Sequence, residues 1–317
     1  MELEFIKCQG SGNDFVMIDA IAQRIDPLDL ARLSRTLCDR SGIIGADGVL
    51  FAVRAGSGFG MRMFNPDGSE AEMCGNGIRC VARLARHYTK ADRVMLASGG
   101  RTYPVAREND IDSGVQTYGV RIPIATWSAD FGFFSRDEKF IARTIPSLDP
   151  QLQFTALSLG NPHIVACCQN VDLDKLAQLG EKVKELKSEF PKGVNVSLFE
   201  VRGRNELFTA TYERGAGITL SCGTAMTACS TASVLIGACE ADRTIKVRNR
   251  GGMVHCICHE EPSLATELIG NATFEYAGIV RENDLGEFSV ERTKEFALET
   301  ETYRTFAQNQ KVFYKGL

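Results

Sequence analysis

Short hydrophobic stretches alternate with turn residues along the first part of the chain. Residues 2–7 and 15–18 flank the glycine-rich turn GSGNDF, and residues 48–53, 61–64 and 116–122 have a similar composition. Short runs of β-branched, aromatic and aliphatic residues between turn signals are typical of strands. The first part of the chain is therefore predicted to form several short strands.

Helical spacing of the apolar positions marks two helices in the same part. Asp26 and Pro27 suit an N-cap and a first helical position, which predicts a helix that continues to Cys38. A second helix is expected to begin just after Cys74. Its apolar residues fall on one face, at Ile78, Val81, Ala82 and Ala85.

The second part of the chain repeats this order. Strands are predicted at residues 156–159, 164–168, 194–201 and 207–213. Cys222 then precedes a glycine and a run of small residues, which predicts a buried helix. The repeated order indicates a weak internal duplication. An amphipathic helix is also expected between the second and third of these strands, on Leu176, Leu179, Val183 and Leu186.

Length and local composition indicate two domains. A chain of 317 residues is longer than one compact core usually extends. The segment 126–150 is polar enough to connect two halves, so domains are predicted at residues 1–124 and 125–272, with a C-terminal extension at 281–317. The extension has no assigned role, although residues 291–308 have a helical composition.

The charge and the cysteines narrow the class of partner. The formal net charge is −4 and no stretch is rich in Lys or Arg, which argues against a nucleic-acid or anionic membrane surface. No apolar run approaches the roughly 20 residues of a membrane span, and the first residues lack a secretion signal. Eleven cysteines scattered through apolar stretches fit free, buried thiols in a reducing compartment. A cytoplasmic protein with a small-molecule partner is expected.

Two of the cysteines share a local sequence. Cys74 stands in MCGNGIRC and Cys222 in SCGTAMTA, each after a strand and a turn and before a predicted helix. Symmetric packing of the two halves would direct both helix N-termini at one cleft. The unpaired N–H groups and partial positive charge of a helix N-terminus lower the pKa of a nearby thiol and can hold a carboxylate.

A pair of thiols suits one particular reaction. Inversion of an amino-acid stereocentre removes a proton from one face of the α-carbon and returns one to the other. Cys74 and Cys222 could supply a base and an acid on opposite faces, without a pyridoxal cofactor. Gly75 and Gly223 would let the backbone approach the ligand closely. The predicted protein is a cofactor-independent amino-acid epimerase, an isomerase.

Six motifs, in this order, resemble the diaminopimelate epimerases, two-cysteine enzymes that interconvert LL- and meso-diaminopimelate in lysine and cell-wall precursor biosynthesis. The resemblance extends through most of the chain and implies a homodimer that needs no cofactor. It also implies two pseudo-symmetric α/β domains, each a curved and mostly antiparallel sheet around a central helix, with the active site between them and a strand near 273–280 that returns to the first domain. The motifs are GSGNDF, GIIGADG, FNPDGSEAEMCGNGIRC, LGNPH, GVNV and YERGAGITLSCGT.

The resemblance also assigns individual residues. Cys74 and Cys222 are implied as the acid/base pair. The remote amino-acid end is implied to contact Arg214, a fork for a distal carboxylate, and Glu213, an anion for a distal ammonium. These two charges favour a diamino dicarboxylic substrate. The other implied substrate-binding residues are Gly75, Asn76, Gly223 and Thr224 at the reacting carboxylate and Asn13, Asn65, Asn161 and Asn195 towards the remote end.

The chain departs from the family pattern at a few positions. Gln9 stands where many members have His, and Gly48 where some have a Gln that contacts substrate. Ala225 and Met226 replace a glycine and a small residue after the second cysteine motif. These changes are expected to retune the substrate pocket.

Two alternative functions remain open at this level. A related two-cysteine racemase could act on a different amino acid. A metal-binding or thiol-redox module could instead use His255, Cys256, Cys258 and His259, whose side chains suit zinc. The flanking residues predict a strand, however, which would place the histidines and cysteines on opposite faces. His163 is open in the same way, as a turn histidine or as a neighbour of the ligand.

Overall fold

The structure is a computed structural model that describes residues 1–25, 30–126, 131–132 and 139–311. Residue 311 is described without its side chain. The chain divides into two compact units by its packing. The first unit comprises Met1–Val120 and Gly270–Phe306, and the second comprises Arg121–Ile269 and the described residues from Ala307 onward. The domain boundaries predicted from the sequence, 1–124 and 125–272, stay predictions.

Nineteen strands lie within the described ranges. In chain order they are β1 (Glu2–Gly10), β2 (Asn13–Asp19), β3 (Gly48–Ala55), β4 (Gly58–Phe64), β5 (Glu70–Ala71), β6 (Arg93–Ser98), β7 (Arg101–Arg107), β8 (Thr117–Pro123), β9 (Arg143–Ile145), β10 (Asp149–Ser158), β11 (Pro162–Cys167), β12 (Asn195–Gly203), β13 (Glu206–Glu213), β14 (Gly217–Ile218), β15 (Thr244–Asn249), β16 (Gly252–His259), β17 (Ala265–Asn271), β18 (Thr273–Glu282) and β19 (Phe288–Glu295).

Five helices occur in the same ranges. They are α1 (Leu30–Cys38), α2 (Gly75–Thr89), α3 (Leu173–Lys182), α4 (Gly223–Leu235) and α5 (Ala297–Lys311). The predicted helices after Cys74 and Cys222 are confirmed. The amphipathic helix of the second half is confirmed at Leu176 and Leu179, but it ends at Lys182, so its predicted continuation to Leu186 is wrong. The predicted start of the first helix at Asp26 and Pro27 lies outside the described residues.

The two units have the same connectivity. In the first unit β2 pairs with β3, and β4 with β6, in parallel. In the second unit β11 pairs with β12, and β13 with β15, in parallel. Parallel neighbours need a crossover. α1 and α2 supply the crossovers in the first unit and α3 and α4 in the second. Most of the other neighbouring strands of both units pair antiparallel, among them β1 with β2 and β10 with β11. The predicted duplication and the predicted α/β class, mostly antiparallel sheets around a helix, are confirmed.

Each sheet surrounds one helix. α2 packs against β1, β2, β3, β4, β6 and β7, and α4 packs against β11, β12, β13, β15 and β16. Every residue of α4 from Gly223 to Val234 is buried. Three of its hydroxyl side chains are satisfied within the helix, since Thr227, Ser230 and Thr231 donate to the carbonyl four residues earlier. A helix of small and polar residues can therefore fill the centre of a sheet.

The segment around 139–150 is part of the second unit's core, which corrects the prediction of a connecting segment at 126–150. β9 lies within it and pairs with β10. Phe140, Ile145 and Leu148 are buried with Phe154 and Phe190 in one apolar cluster. The hydrophobic residues of this segment are widely spaced, and their burial follows from tertiary packing.

The C-terminal residues belong largely to the first unit. β18 pairs with β1, so a strand near 273–280 does return to the N-terminal sheet, and β19 pairs with β18. Residues 291–295 lie in β19, so the helix expected from their composition is wrong for these residues. The helix begins at Ala297. Glu299 of α5 forms an ion pair with Arg83 of α2 and accepts the N–H of Phe274 at 2.8 Å. The extension is thereby tied to the central helix.

No helix in the described ranges combines the length and hydrophobicity that a bilayer span requires.

Replacement of Gly180 by Ala is expected to lower the stability of the second unit. Ala favours a helix by about 1 kcal/mol over Gly. A Cβ at Gly180 in α3, however, would overlap the ring of Tyr212, and overpacking typically costs about 1–3 kcal/mol. Because three ring atoms would lie well under 3.0 Å from the Cβ, we expect a cost in the upper part of this range and a net fall of about 1–2 kcal/mol in the free energy of unfolding, measured by urea titration.

Gln178→Ala provides the control, because Gln178 is exposed on the same helix. Its free energy of unfolding should change by less than about 0.5 kcal/mol. A Gly180→Ala protein as stable as this control would mean that the overlap with Tyr212 costs no more than the helix propensity that Ala adds.

Candidate active site

Cys74 is the N-cap of α2 in the first unit. Its backbone is extended, with φ −134° and ψ 108°, and the N–H of Gly77 donates to Sγ at 3.3 Å. The thiol is partly exposed. A backbone N–H aimed at sulfur stabilises a thiolate, so the geometry supplies the donor that was expected at this helix end.

Asn13 lies beside Cys74, just after a tight hairpin between β1 and β2. Its Oδ1 is 4.0 Å from Sγ of Cys74. The hairpin turns at Ser11 and Gly12, whose φ angles of 56° and 80° are the positive values that a type I′ turn requires. The turn brings Asn13 back along the sheet towards the start of α2.

The buried side chain of Arg79 connects the start of α2 with the hairpin between β1 and β2. It is fully buried, at 0% exposure. Nη1 donates to the carbonyl of Gly75 at 3.0 Å and to Oδ1 of Asn76 at 3.1 Å. Nη2 donates to Oγ of Ser11, and Nε to the carbonyl of Asn271. Arg79 was not predicted as a functional residue. The sequence signal that could have identified it is a charged residue between two apolar positions of the helix.

Gln9 acts on the same turn. Its Oε1 accepts from the N–H of Gly12 at 3.0 Å and from Nδ2 of Asn271 at 2.9 Å. Asn271 in turn accepts the N–H of Ser11 at 2.7 Å. Gln9 therefore stabilises the hairpin, and the residue is buried, with an exposure of 5%. The expectation that it retunes the pocket stays a prediction.

Two other predicted positions of the first unit are fixed by local contacts. Nδ2 of Asn65 donates to Oγ of Ser69 at 3.0 Å, within the turn that follows β4. At Gly48 a Cβ would lie 2.8 Å from Cε of Met63 and 3.0 Å from the carbonyl oxygen of Phe64. Met63 thus fills the space that a side chain at 48 would need.

Cys222 caps α4 in the second unit with almost the same backbone. Its φ and ψ are −126° and 112°, within about 10° of those of Cys74. The residue is only 8% exposed. Sγ lies 3.5 Å from Oγ1 of Thr224. The two cysteine motifs thus form the same cap with different surroundings.

The pKa of Cys222 departs from the expectation. Burial raises the pKa of this thiol well above its ordinary value, and the charge of Glu213 acts in the same direction, whereas Thr224 opposes both. The N–H of Ala225, at the N-terminus of α4, lowers the pKa as expected, but burial outweighs it, so the expected net lowering is wrong for Cys222. The raised pKa favours the protonated thiol near neutral pH.

A buried chain of polar groups leads away from Cys222. Oγ1 of Thr224 is 3.1 Å from Nε2 of His163 and accepts from Nδ2 of Asn161 at 3.3 Å. Nε2 of His163 is also 3.5 Å from Nδ2 of Asn195. Burial, with the charge of Arg214 acting in the same direction, lowers the pKa of His163 to about 3. His163 is consequently neutral near pH 7 and belongs to the network around Cys222.

Glu213 and Arg214 begin the turn between β13 and β14. A carboxylate oxygen of Glu213 accepts from Oγ1 of Thr219 at 2.6 Å. The N–H of Arg214 donates to Oδ1 of Asn195 at 3.0 Å, and Nη1 donates to the carbonyl of Lys192. The Arg214 side chain is exposed. Asn195 thus fixes the backbone from which the exposed guanidinium extends.

Met226 and Ala225 lie on the first turn of α4. Ala225 is fully buried, and Sδ of Met226 lies 3.0 Å from Nδ2 of Asn249. The same Nδ2 is 3.0 Å from Oγ of Ser221, the residue before Cys222. Met226 therefore contributes to a contact that supports the cysteine turn from behind.

The predicted strand around His255 is confirmed as β16. Cys256 and Cys258 are fully buried, whereas His255 and His259 alternate with them and are partly exposed. No group of three or more metal-binding side chains that could hold an ion occurs in the described residues. The alternation of the strand therefore places the two cysteines and the two histidines on opposite faces, as expected.

The predicted residues form one cluster in each unit. Asn13, Cys74, Gly75 and Asn76 meet through Arg79 and the hairpin in the first unit, whereas the contact of Asn65 is with Ser69. In the second unit one network of contacts joins six of the predicted residues. They are Asn161, Asn195, Glu213, Arg214, Cys222 and Thr224.

Comparison with known sequences gives consistent matches. The family model described as diaminopimelate epimerase matches residues 5–117 and 155–275. A diaminopimelate epimerase of Clostridium acetobutylicum is 38% identical over 314 residues, covering 96% of this chain and 94% of that protein. One from Listeria welshimeri is 34% identical over 327 residues, covering 99% and 98%.

Solved structures share the fold at low identity. A phenazine biosynthesis protein of the PhzF family from Bacillus anthracis superimposes with a TM-score of 0.66 at 14% identity, covering 89% of this chain and 99% of that one. A hydroxyproline epimerase from Agrobacterium vitis gives 0.62 at 13% identity, covering 90% and 94%. These structures show the fold alone. The family model and the nearly full-length sequence matches show that the chain belongs to the diaminopimelate epimerase family of isomerases.

Proposed function

We propose that this protein interconverts LL- and meso-diaminopimelate by proton transfer at the α-carbon, with Cys74 and Cys222 as the acid/base pair. The observation that carries the proposal is the repeated cap: each cysteine precedes a glycine that opens a central helix, with nearly identical backbone angles. Such a pair supplies one thiol group for each face of the stereocentre. The proposal places the reaction in lysine and cell-wall precursor biosynthesis.

The surroundings of the two thiols suggest how the roles begin. Sγ of Cys74 has the N–H of Gly77 as a donor, which favours a thiolate. Cys222 is held as a thiol by burial and by Glu213. In one direction Cys74 takes the α-proton and Cys222 gives its proton to the opposite face. The charge states are then exchanged, so the reverse reaction uses the same groups in opposite roles.

The helix N-termini are proposed to stabilise the reacting carboxylate. The first N–H groups of an α-helix have no partner within the helix and carry partial positive charge. In the proposal Gly75 and Asn76 supply such groups on α2, and Gly223 and Thr224 on α4. As α-deprotonation places negative charge on the carboxylate, these donors stabilise the transition state more than the substrate.

The remote end of the substrate is proposed to lie against the second unit's polar network. Asn161 and Asn195 are held by bonds to Thr224 and Arg214. Glu213 supplies a carboxylate for an ammonium group, and the exposed Arg214 a guanidinium for a carboxylate. Asn13 and Asn65 would complete the set. This charge arrangement supports a diamino dicarboxylic substrate over a simple amino acid.

The setting of the enzyme follows from the same features. None of the eleven cysteines, all within the described residues, is joined to another in a disulfide, which fits a reducing cytoplasm. Two thiols perform the proposed reaction without an added cofactor. A homodimer is proposed from the family resemblance, and light scattering of the purified protein would report it directly.

Incubation of the reduced protein with LL-diaminopimelate in deuterated water tests the function. We expect α-deuterium in a newly formed meso isomer, without added pyridoxal phosphate or metal. Exchange and inversion should appear together, because the returned proton comes from a thiol that has equilibrated with solvent. If diaminopimelate is inert while another amino acid is inverted, the two-thiol reaction stands and the substrate assignment fails.

Serine at either cysteine is expected to reduce turnover by at least about 100-fold, the lower range for loss of a general acid or base. A hydroxyl is much less acidic than a thiol and cannot replace it near neutral pH. Cys167→Ser is the control, because Cys167 is exposed on β11. Normal turnover by Cys222→Ser would overturn the two-base mechanism.

Arg214→Lys is expected to lower kcat/KM for diaminopimelate by about 10- to 100-fold, the loss of one hydrogen bond to a charged group. Lys cannot reproduce the two parallel N–H donors of a guanidinium. Arg204→Lys is the matched control, since Arg204 is an exposed Arg of the same unit that pairs with Glu240. Equal kcat/KM values for the two variants would contradict the assignment of Arg214 to the substrate site.

A further inference from the structure

Asp47 has no assigned role, yet its side chain bonds Asn13, the residue whose Oδ1 faces Sγ of Cys74. It stands just before β3. Oδ2 accepts from Nδ2 of Asn13 at 2.7 Å and from the N–H of Asp14 at 3.1 Å, and Oδ1 accepts from Nη2 of Arg40 at 2.7 Å. The N–H of Asp47 also donates to the carbonyl of Asp14 at 2.9 Å. Asp47 is therefore fixed to the start of β2 by both backbone and side chain.

The carboxylate determines which way the amide of Asn13 points. An ionised carboxylate only accepts hydrogen bonds, so the group of Asn13 that faces it must be the NH₂. Rotation of the amide by half a turn would set its carbonyl oxygen against Asp47, which is unfavourable. Oδ1 of Asn13 is thereby turned towards Sγ of Cys74, 4.0 Å away.

This orientation matters for the protonation of Cys74. A carbonyl oxygen accepts a bond from a thiol S–H, but it gives nothing to a thiolate. The N–H of Gly77 does the opposite, because it donates to sulfur and favours the thiolate. Cys74 therefore has one neighbour suited to each of the two states that a two-base reaction requires.

We propose that Asp47 is a positioning residue, which holds Asn13 with its carbonyl oxygen towards Cys74 and so stabilises the protonated thiol. It acts through Asn13. The inference rests on the proposed function only for its meaning in catalysis, because the effect on the thiol exists without substrate. Release of the amide would let Nδ2 donate to sulfur and make Cys74 a stronger acid.

Asp14, Cys38 and Arg79, which face this cluster, do not change their charge between pH 6 and 10. Burial opposes ionisation of Asp14, but its bonds with Arg40 and Lys7 prevail and lower its pKa to about 2. Burial raises the pKa of Cys38, which faces the same cluster, to about 12. Arg79 approaches from α2 and stays charged.

Alkylation of Cys74 between pH 6 and 10 tests the inference, with mass spectrometry of the Cys74 peptide to separate it from the other cysteines. In Asp47→Asn the amide of Asn13 is free to turn, because the new side chain can donate as well as accept. We expect the midpoint of alkylation to move by about one pH unit to lower pH, the usual size of such a hydrogen-bond effect.

Asp92→Asn is the matched control, since Asp92 forms an exposed pair with Arg86 in the same unit. Its midpoint should equal that of the unaltered protein. Asp47→Ser, with a smaller side chain that also accepts or donates, gives a second measurement if Asp47→Asn does not fold. An unchanged midpoint in a folded Asp47 variant would overturn the inference.

A double-mutant cycle separates positioning from the simple loss of a negative charge. With Asn13→Ala present there is no amide to turn, so Asp47→Asn should move the midpoint by much less than in the parent. Equal shifts in both backgrounds would mean that Asp47 acts through its charge alone, which overturns the inference. Alkylation needs no turnover, so a protein inert towards diaminopimelate would refute the proposed function and leave this result intact.

Discussion

The buried guanidinium of Arg79 is the interaction on which the first unit's site depends. Arg cannot lose its proton, so its burial is costly unless its donors are satisfied. Here they reach Gly75 and Asn76 on the cysteine helix, Ser11 on the hairpin, and Asn271 near the C-terminal strand. Three segments distant in sequence therefore take one arrangement, and the distance between Asn13 and Cys74 is set by that arrangement.

The duplication gives the two cysteines equal backbones and unequal surroundings. Both cap a helix enclosed by a sheet, in units of the same connectivity. Cys74 is partly open and receives a backbone N–H, whereas Cys222 is buried beside Glu213 and stays protonated. A symmetric fold thus supplies an asymmetric pair, which is what a reaction needs when it takes a proton on one side and gives one on the other.

Local sequence signals were sufficient for the two cysteine motifs and for the helix starts after Cys74 and Cys222, which followed from spacing and glycine. About half of the strands followed from short apolar runs. The strands that were not predicted are β5, β6, β7, β9, β14, β15, β17 and β19. The raised pKa of Cys222 could not be predicted, because it depends on burial and on Glu213. Arg79 and Asp47 were missed because their partners are remote in sequence. Residues 291–295 favour helix by composition, yet pairing with β18 makes them an edge strand.

The pairing of β1 with β18 determines the order in which the two units can fold during synthesis. Glu2 lies opposite Arg281, so the first strand waits for nearly the whole chain before its sheet can close. The sheet of the second unit, from β9 to β17, is by contrast built from one continuous stretch. Domains fold as their residues leave the ribosome. The unit encoded second therefore completes its core first, while the N-terminal strands wait for the C-terminal end to emerge.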